Sequence, residues 1–386
     1  MKNKYFIIIS LVFLYFVSAA VSYAAFSLFK SGETITTVEP PTQPMGESFQ
    51  IDPSAPKTEM CPLNGTMRSK GEKEWWEKHR PLGVMIENHK EAKPQSGLSK
   101  ADIIYEAVAE GGITRFLAVY YCQDAEKLGP VRSARTYYLD FISEYGNKPL
   151  YAHVGGANTD GPADALSQID DYGWTGLNDL NQFSIGFPTF WRDYERLPGV
   201  ATEHTMYSTT EKLWKVAAKR GLTNVDGKDV PWDQKFTPWV FKEDSPLADR
   251  PNSSSVEFSF WQSYGDYSVK WVYDKETNLY KRYNGGTSHL DKNSNEQLKA
   301  KTIVLVFMTE ENADDGYEDN IHLLYDTKGS GKATIILDGT KIEGTWQKKD
   351  RLSRMKFIDA QGNEIELNRG QIWIEVLPIG VTPKFS

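Results

Sequence analysis

The sequence predicts an α+β protein: an N-terminal membrane helix, a mixed α/β first domain and an antiparallel β-rich second domain. Three observations carry this. No charged residue occurs between Tyr5 and Phe29. Apolar strand-like runs alternate with helix-like stretches between residues 61 and 235. Beyond a proline- and serine-rich stretch at 231–255, short alternating segments are punctuated by turn dipeptides.

The uncharged run at the N-terminus would form a helix of about 37 Å, against a bilayer core of roughly 30 Å. Lys2, Lys4 and the α-amine precede it; Lys30 follows, but Glu33 and Glu39 come soon after. This basic bias places the N-terminus inside and the body outside the cytoplasm, as a single-pass protein of the cell membrane. A cleaved signal segment is the rival reading, with Ser22-Tyr23-Ala24 as a small-residue cleavage site. The run is long for such a peptide, so residues 1–29 are read as a retained anchor. Residues 30–60, with Pro40, Pro41, Pro44, Pro53 and Pro56 among polar residues, read as a disordered spacer.

In the first domain (61–235), Ser69 to Arg80 suits a short helix and Pro81 to Ile86 a buried strand. Ile103 to Ala107 and Arg115 to Cys122 are rich in β-formers, and Gly111-Gly112 between them is a turn. Arg135 to Tyr145 places Tyr138, Phe141 and Ile142 on one helical face. Leu150 to Val154 reads as a strand ending at Gly155-Gly156, and Thr209 to Arg220 as an amphipathic helix closed by Gly221.

In the second domain (236–386), Val269 to Tyr273 alternates, and Lys281-Arg-Tyr runs into the turn Asn284-Gly285-Gly286. Thr302 to Phe307, Thr334 to Leu337, Ile342 to Trp346, Met355 to Ile358 and Ile372 to Leu377 read as short strands separated by turns. No internal repeat is present.

Composition narrows the function. The 386 residues carry a net charge of −8, which disfavours a nucleic-acid partner. The aromatic share of 13% suits β-structure and surfaces that stack on ligands. The two cysteines, Cys61 and Cys122, could pair in an oxidising compartment, or Cys122 could be a buried thiol. No zinc spacing, phosphate loop, dinucleotide fingerprint or nucleophile elbow occurs, so neither metal nor cofactor is expected.

Three arginines stand out. Arg115 follows Glu110-Gly-Gly-Ile-Thr, and Arg132 and Arg135 flank Ser133 in Gly129-Pro-Val-Arg-Ser-Ala-Arg. If this turn opens the following helix, Arg115, Arg132, Ser133 and Arg135 make an anion site, because guanidinium forks match phosphate and carboxylate. Alternatively the arginines are structural ion-pair partners of Glu106, Glu110 and Asp140. Glu110, His153 at a strand end, and His204 are candidates for acid–base catalysis; each histidine could equally be structural.

Long stretches carry a family resemblance: Pro81-Leu-Gly-Val-Met-Ile-Glu-Asn-His89, Pro94-Gln-Ser-Gly-Leu-Ser-Lys-Ala-Asp102, Tyr105-Glu-Ala, Glu110-Gly-Gly-Ile-Thr-Arg-Phe116 and Gly129-Pro-Val-Arg-Ser-Ala-Arg135. Gly344-Thr-Trp-Gln-Lys348 and Leu367-Asn-Arg-Gly-Gln-Ile-Trp-Ile-Glu375 extend it. Over most of 61–378 the chain resembles the YerB-like family of bacterial envelope proteins, a domain of unknown function. The resemblance implies an envelope location, often through a lipid anchor, and transfers no catalytic residue. The chain departs from it in lacking a cysteine after the apolar run, and in Glu203-His-Thr-Met-Tyr207 where a Pro-His-Asn-type run is expected. The layout of one membrane helix and an external α/β domain also resembles cell-wall polymer transferases of the LytR-CpsA-Psr type, an analogy of layout only. The leading expectation is a binding module for a cell-wall polymer or other anionic envelope ligand. The alternatives are a wall-acting phosphoryl- or glycosyl-transferring or glycan-cleaving enzyme, and a protein-interaction scaffold using an aromatic second domain.

Overall fold

The computed structural model describes residues 17–18, 52–319 and 321–386. The expected anchor at 1–29, apart from helical Val17 and Ser18, and positions 30–51 of the expected spacer lie outside these residues. Among the described residues no helix is long and apolar enough to cross a membrane. Strand makes up 36% and helix 16%, so the protein is β-rich with few helices.

Helix α1 (Lys70–Trp76) opens on a capping box: Ser69 accepts from the Glu72 N–H while the Glu72 carboxylate accepts from the Ser69 N–H. Then come β1 (Leu82–Glu87), β2 (Ile103–Glu110), β3 (Ile113–Tyr120), α2 (Thr136–Ile142), β4 (Leu150–His153), α3 (Ala165–Asp171), β5 (Asp179–Asn181) and α4 (Thr210–Lys219). The later part supplies β6 (Ser255–Phe258), β7 (Val269–Asp274), β8 (Leu279–Asn284), β9 (Thr302–Met308), β10 (Gly329–Leu337), β11 (Thr340–Lys348), β12 (Lys356–Ile358) and β13 (Ile372–Pro378). Of these, α3, β5 and β6 have no counterpart among the sequence expectations. The first two are too short to show a period, and β6 abuts the stretch assigned to a boundary.

One ten-stranded sheet runs in the order β12-β11-β10-β9-β13-β2-β3-β1-β4-β5. It contains strands from both sides of the 231–255 stretch, and residues 51–386 make one compact unit. The proline-rich stretch is packed into that unit. Phe241–Lys242 pairs with Leu367–Asn368, and Trp232 and Trp239 are buried. The later part is also not purely antiparallel, because β13 pairs parallel with both β9 and β2. Consequently β9, β13, β2, β1, β4 and β5 all point the same way, with β3 reversed among them. Both faces of the central strands are covered, which is why β1, β3 and β9 read as continuous apolar runs. A second, six-stranded sheet holds β6, β7 and β8.

The body begins earlier than the expected spacer allows. Lys57–Met60 pairs antiparallel with Met67–Ser69, and Lys57 and Lys73 reach Glu72 and Glu59, each at 2.8 Å. Cys61 is joined to Cys122, with Cα atoms 6.0 Å apart. Asp102 braces this junction, accepting from Asn64 Nδ2 at 2.8 Å and from the backbone N–H groups of Tyr121 and Cys122 at 2.7 and 2.9 Å.

Burial opposes ionisation of Glu72, but hydrogen bonds from Lys57 and Ser69 outweigh it and draw its carboxyl from 4.5 down to about 2. A depressed carboxyl stabilises the fold above its unfolded value, and that stabilisation is lost as pH falls through the folded one. The stability difference between wild type and Glu72→Gln should therefore be full above pH 4.5 and close between pH 4.5 and about 2. Urea titrations across that range measure it; a difference independent of pH would contradict it.

Candidate functional site

The common direction of six strands gathers their carboxyl ends along one edge. Glu87, Glu110, His153 and Asn181 end β1, β2, β4 and β5 there. In open α/β sheets this is the edge where ligands bind. The β2–β3 hairpin turns at Gly111-Gly112, both with positive φ (52° and 76°), as a two-residue turn with right-handed strand twist demands. The turn puts Arg115 directly opposite Glu87.

The segment 131–134 is stitched across the edge between β1 and β4. Arg132 N donates to Met85 O at 2.9 Å, Val154 N to Arg132 O at 3.0 Å, and Ala134 N to Gly155 O at 2.9 Å. The structure thus brings Arg115, Arg132, Ser133 and Arg135 together. Arg115 and Arg135 grip the two oxygens of one carboxylate, Glu110, whose side chain keeps 26% of its surface exposed against 5% and 6% for the arginines. Arg132 Nε lies 3.1 Å from Glu87 Oε1 and is the most approachable of the three guanidiniums, with 23% of its side chain exposed. Ser133 participates through its backbone, its carbonyl accepting from Arg115 at 3.2 Å. Burial lowers the affinity of Arg132 and Arg135 for their protons; Glu87 opposes this at Arg132, while tyrosines around Arg135 oppose it there. The helix that follows, α2, has only seven residues, and its N-cap Arg135 makes no side-chain capping bond. The arginines, rather than a helix terminus, supply the positive charge.

The other expected counter-ions lie elsewhere. Asp140 accepts from Thr327 and, at 2.6 Å, from Lys328. Glu106 points into the interior, 2.5 Å from Arg282. His153 is fully buried, with Nε2 2.6 Å from Asp179 and Nδ1 2.6 Å from Gly155 O. It anchors the Gly155 turn and presents no face to solvent. His204 sits at the edge itself, Nδ1 2.9 Å from Glu87 Oε2 and Nε2 3.6 Å from Glu91. His89 stacks on it, ring centroids 4.7 Å apart and planes 3° from parallel. Burial, with His204 alongside, lowers the His89 pKa.

Sequence reasoning missed Glu87, His89 and Glu91. The available signal was their position immediately after a buried strand. For the scaffold alternative, which draws on the later part's aromatics, Trp271, Trp346 and Trp373 are buried while Tyr264, Tyr317 and Phe385 are exposed. Among the described residues the most exposed aromatics, Phe183 and Phe187, lie in the first part.

A β-rich body with a mixed sheet, one disulfide and an arginine-bearing carboxyl edge is the class these features define. Two family descriptions match it: the N-terminal domain of "Protein of unknown function (DUF3048)" over residues 65–223 and its C-terminal domain over 256–374. The chain is 30% identical over 303 residues to "Putative lipoprotein YerB" of Bacillus subtilis (strain 168), covering 78% of this chain and 81% of that one. The crystal structure of YerB from Bacillus subtilis superposes with a TM-score of 0.68 at 25% identity, covering 84% of this chain and 99% of that one. The chain belongs to the YerB-like family.

Proposed function

We propose that this protein is an extracytoplasmic binding protein, held at the membrane by the apolar segment 5–29, that takes an anionic envelope ligand at the carboxyl edge of its sheet. The observation that carries this reading is the charge count in the buried cluster. Arg115, Arg132 and Arg135 share two buried or half-buried carboxylates, Glu87 and Glu110. The other nearby acids, Glu91 and Glu203, face solvent, where screening weakens them. Glu110 then acts as a resident counter-ion that an incoming phosphate or carboxylate displaces, and Arg132 is the first point of contact. The lipoprotein description of the YerB relative and the uncharged N-terminal run support an envelope location.

The test is binding of full-length protein in detergent to purified wall polymer and to polyphosphate at low salt. Arg132→Gln should weaken binding about tenfold, one charge-assisted contact's worth, measured below the melting temperatures of both proteins, since buried Glu87 also loses its arginine. Glu110→Gln should tighten binding while lowering the melting temperature, because two buried guanidiniums lose their partner. A wild-type protein that binds neither polymer, or an Arg132→Gln variant that binds as well as wild type, would refute the reading.

A further inference from the structure

We infer that His89, Glu91 and His204 form a binding site for a divalent transition cation such as zinc. One ring nitrogen of each histidine and a carboxylate oxygen of Glu91 lie within 4.8 Å of one another. The set comes from two distant segments, the 3-10 turns Lys90–Ala92, capped by His89, and Thr202–Thr205. No sequence spacing announces it. Two imidazoles and one carboxylate are the donor set of metal sites that keep positions open for water or substrate. Imidazole favours zinc, cobalt, nickel or copper over magnesium and calcium, which prefer oxygen alone.

The surroundings are those of a metal site's outer shell. A carboxylate only accepts, so His204 Nδ1–H donates to Glu87 Oε2 at 2.9 Å, which fixes the tautomer and leaves the Nε2 lone pair facing Glu91 at 3.6 Å. Glu87 is in turn held by Arg132 Nε at 3.1 Å. His204 is buried, His89 is half-buried and Glu91 is exposed, so the site has a fixed wall and an open side through which an ion can enter.

Closing on a cation requires two adjustments. Donors about 2.0–2.1 Å from a tetrahedral ion sit roughly 3.4 Å apart, so the Glu91 side chain must move inward, which its exposure permits. Two parallel rings do not aim their lone pairs at one point. His89 must therefore rotate off the ring of His204, giving up the 3.3 Å contact its Nδ1 receives from Glu91 N. The second candidate cluster, Cys61, Asp102 and Cys122, is excluded because its sulfurs are bonded to each other.

This inference stands apart from the anion reading, since cation binding is measured with no anionic ligand present. Untagged full-length protein in detergent, freed of metal by chelation, is titrated calorimetrically with zinc chloride and spectroscopically with cobalt(II) chloride. The expected result is one equivalent bound, a visible ligand-field spectrum for cobalt, and a zinc-dependent rise in melting temperature. His89→Ala and Glu91→Gln, both at accessible positions, should fold as wild type without metal and bind zinc at least tenfold more weakly. His204→Ala should abolish the cobalt spectrum. Wild-type protein that takes up no equivalent, or His89→Ala and Glu91→Gln variants that bind zinc as tightly as wild type, would overturn the inference.

Discussion

Arg282→Met should destabilise the folded protein by about 3–5 kcal/mol, the cost of stranding buried charge, out of a typical total of about 5–15 kcal/mol. Arg282 is fully buried between two carboxylates, 2.5 Å from Glu106 and 2.8 Å from Glu375, and its Nε donates to His289 Nδ1 at 3.0 Å. The guanidinium also lies over the Trp373 ring, 4.4 Å from its centroid. Burial and the neighbouring Glu106 push the Glu375 carboxyl upward, and burial beside Arg282 keeps His289 far below its usual range. Methionine keeps the apolar packing on the tryptophans and removes the charge, leaving Glu106 and Glu375 to face one another without water. Urea unfolding of wild type, Arg282→Met and the triple variant Glu106→Gln, Arg282→Met, Glu375→Gln separates the causes. The triple variant should recover much of the loss. A single variant within about 1 kcal/mol of wild type would show that the arginine is not what holds the two parts of the sheet.

Replacing both Cys61 and Cys122 by alanine should cost about 4 kcal/mol on the chain-entropy account, because the bond closes a loop of 61 residues. Both residues are buried beside Asp102, whose carboxyl is pushed up to about 6 by its own burial. The loss should appear as a lowered denaturation midpoint and be matched by wild type under reducing conditions. An unchanged midpoint in both would mean that the hydrogen bonds from Asn64 and the 121–122 backbone hold the junction unaided.

The strands were legible because buried runs such as Thr302 to Met308 and turns such as Gly111-Gly112 are local signals. The pairing of β13 between β2 and β9 was not, since no local feature encodes a partner so far away. Arg282 shows an intermediate case. In β8 the residues Tyr280, Arg282 and Asn284 face inward while their neighbours lie nearer the surface. Parity with Tyr280 marks the arginine as internal, but its partners come from other strands. At the edge, the convergence of Arg115, Arg132 and Arg135 followed from their closeness in sequence. The mates assigned to them did not, because a β-bulge between Val108 and Glu110 breaks the alternation of β2, sending Glu106 inward and leaving Glu110 at the rim beside Arg115. Glu87, His89 and Glu91 meet His204 only through the fold.

The place of β13 sets an order on the protein's birth. Strand β2 waits for a neighbour that begins at Ile372, 262 residues after Glu110. At roughly 5–20 residues per second of synthesis, that is an interval of tens of seconds during which the first half has emerged with an unpaired sheet edge. Such an edge is a template for association with other chains. Within that interval the Cys61–Cys122 link can already close, since both cysteines lie in the first third of the chain. The early covalent clasp and the late central strand therefore divide the task between them: the first limits how far the waiting half can wander, and the second ends its exposure. A truncated chain ending before Ile372 would remain in the waiting state, with the edge of β2 uncovered.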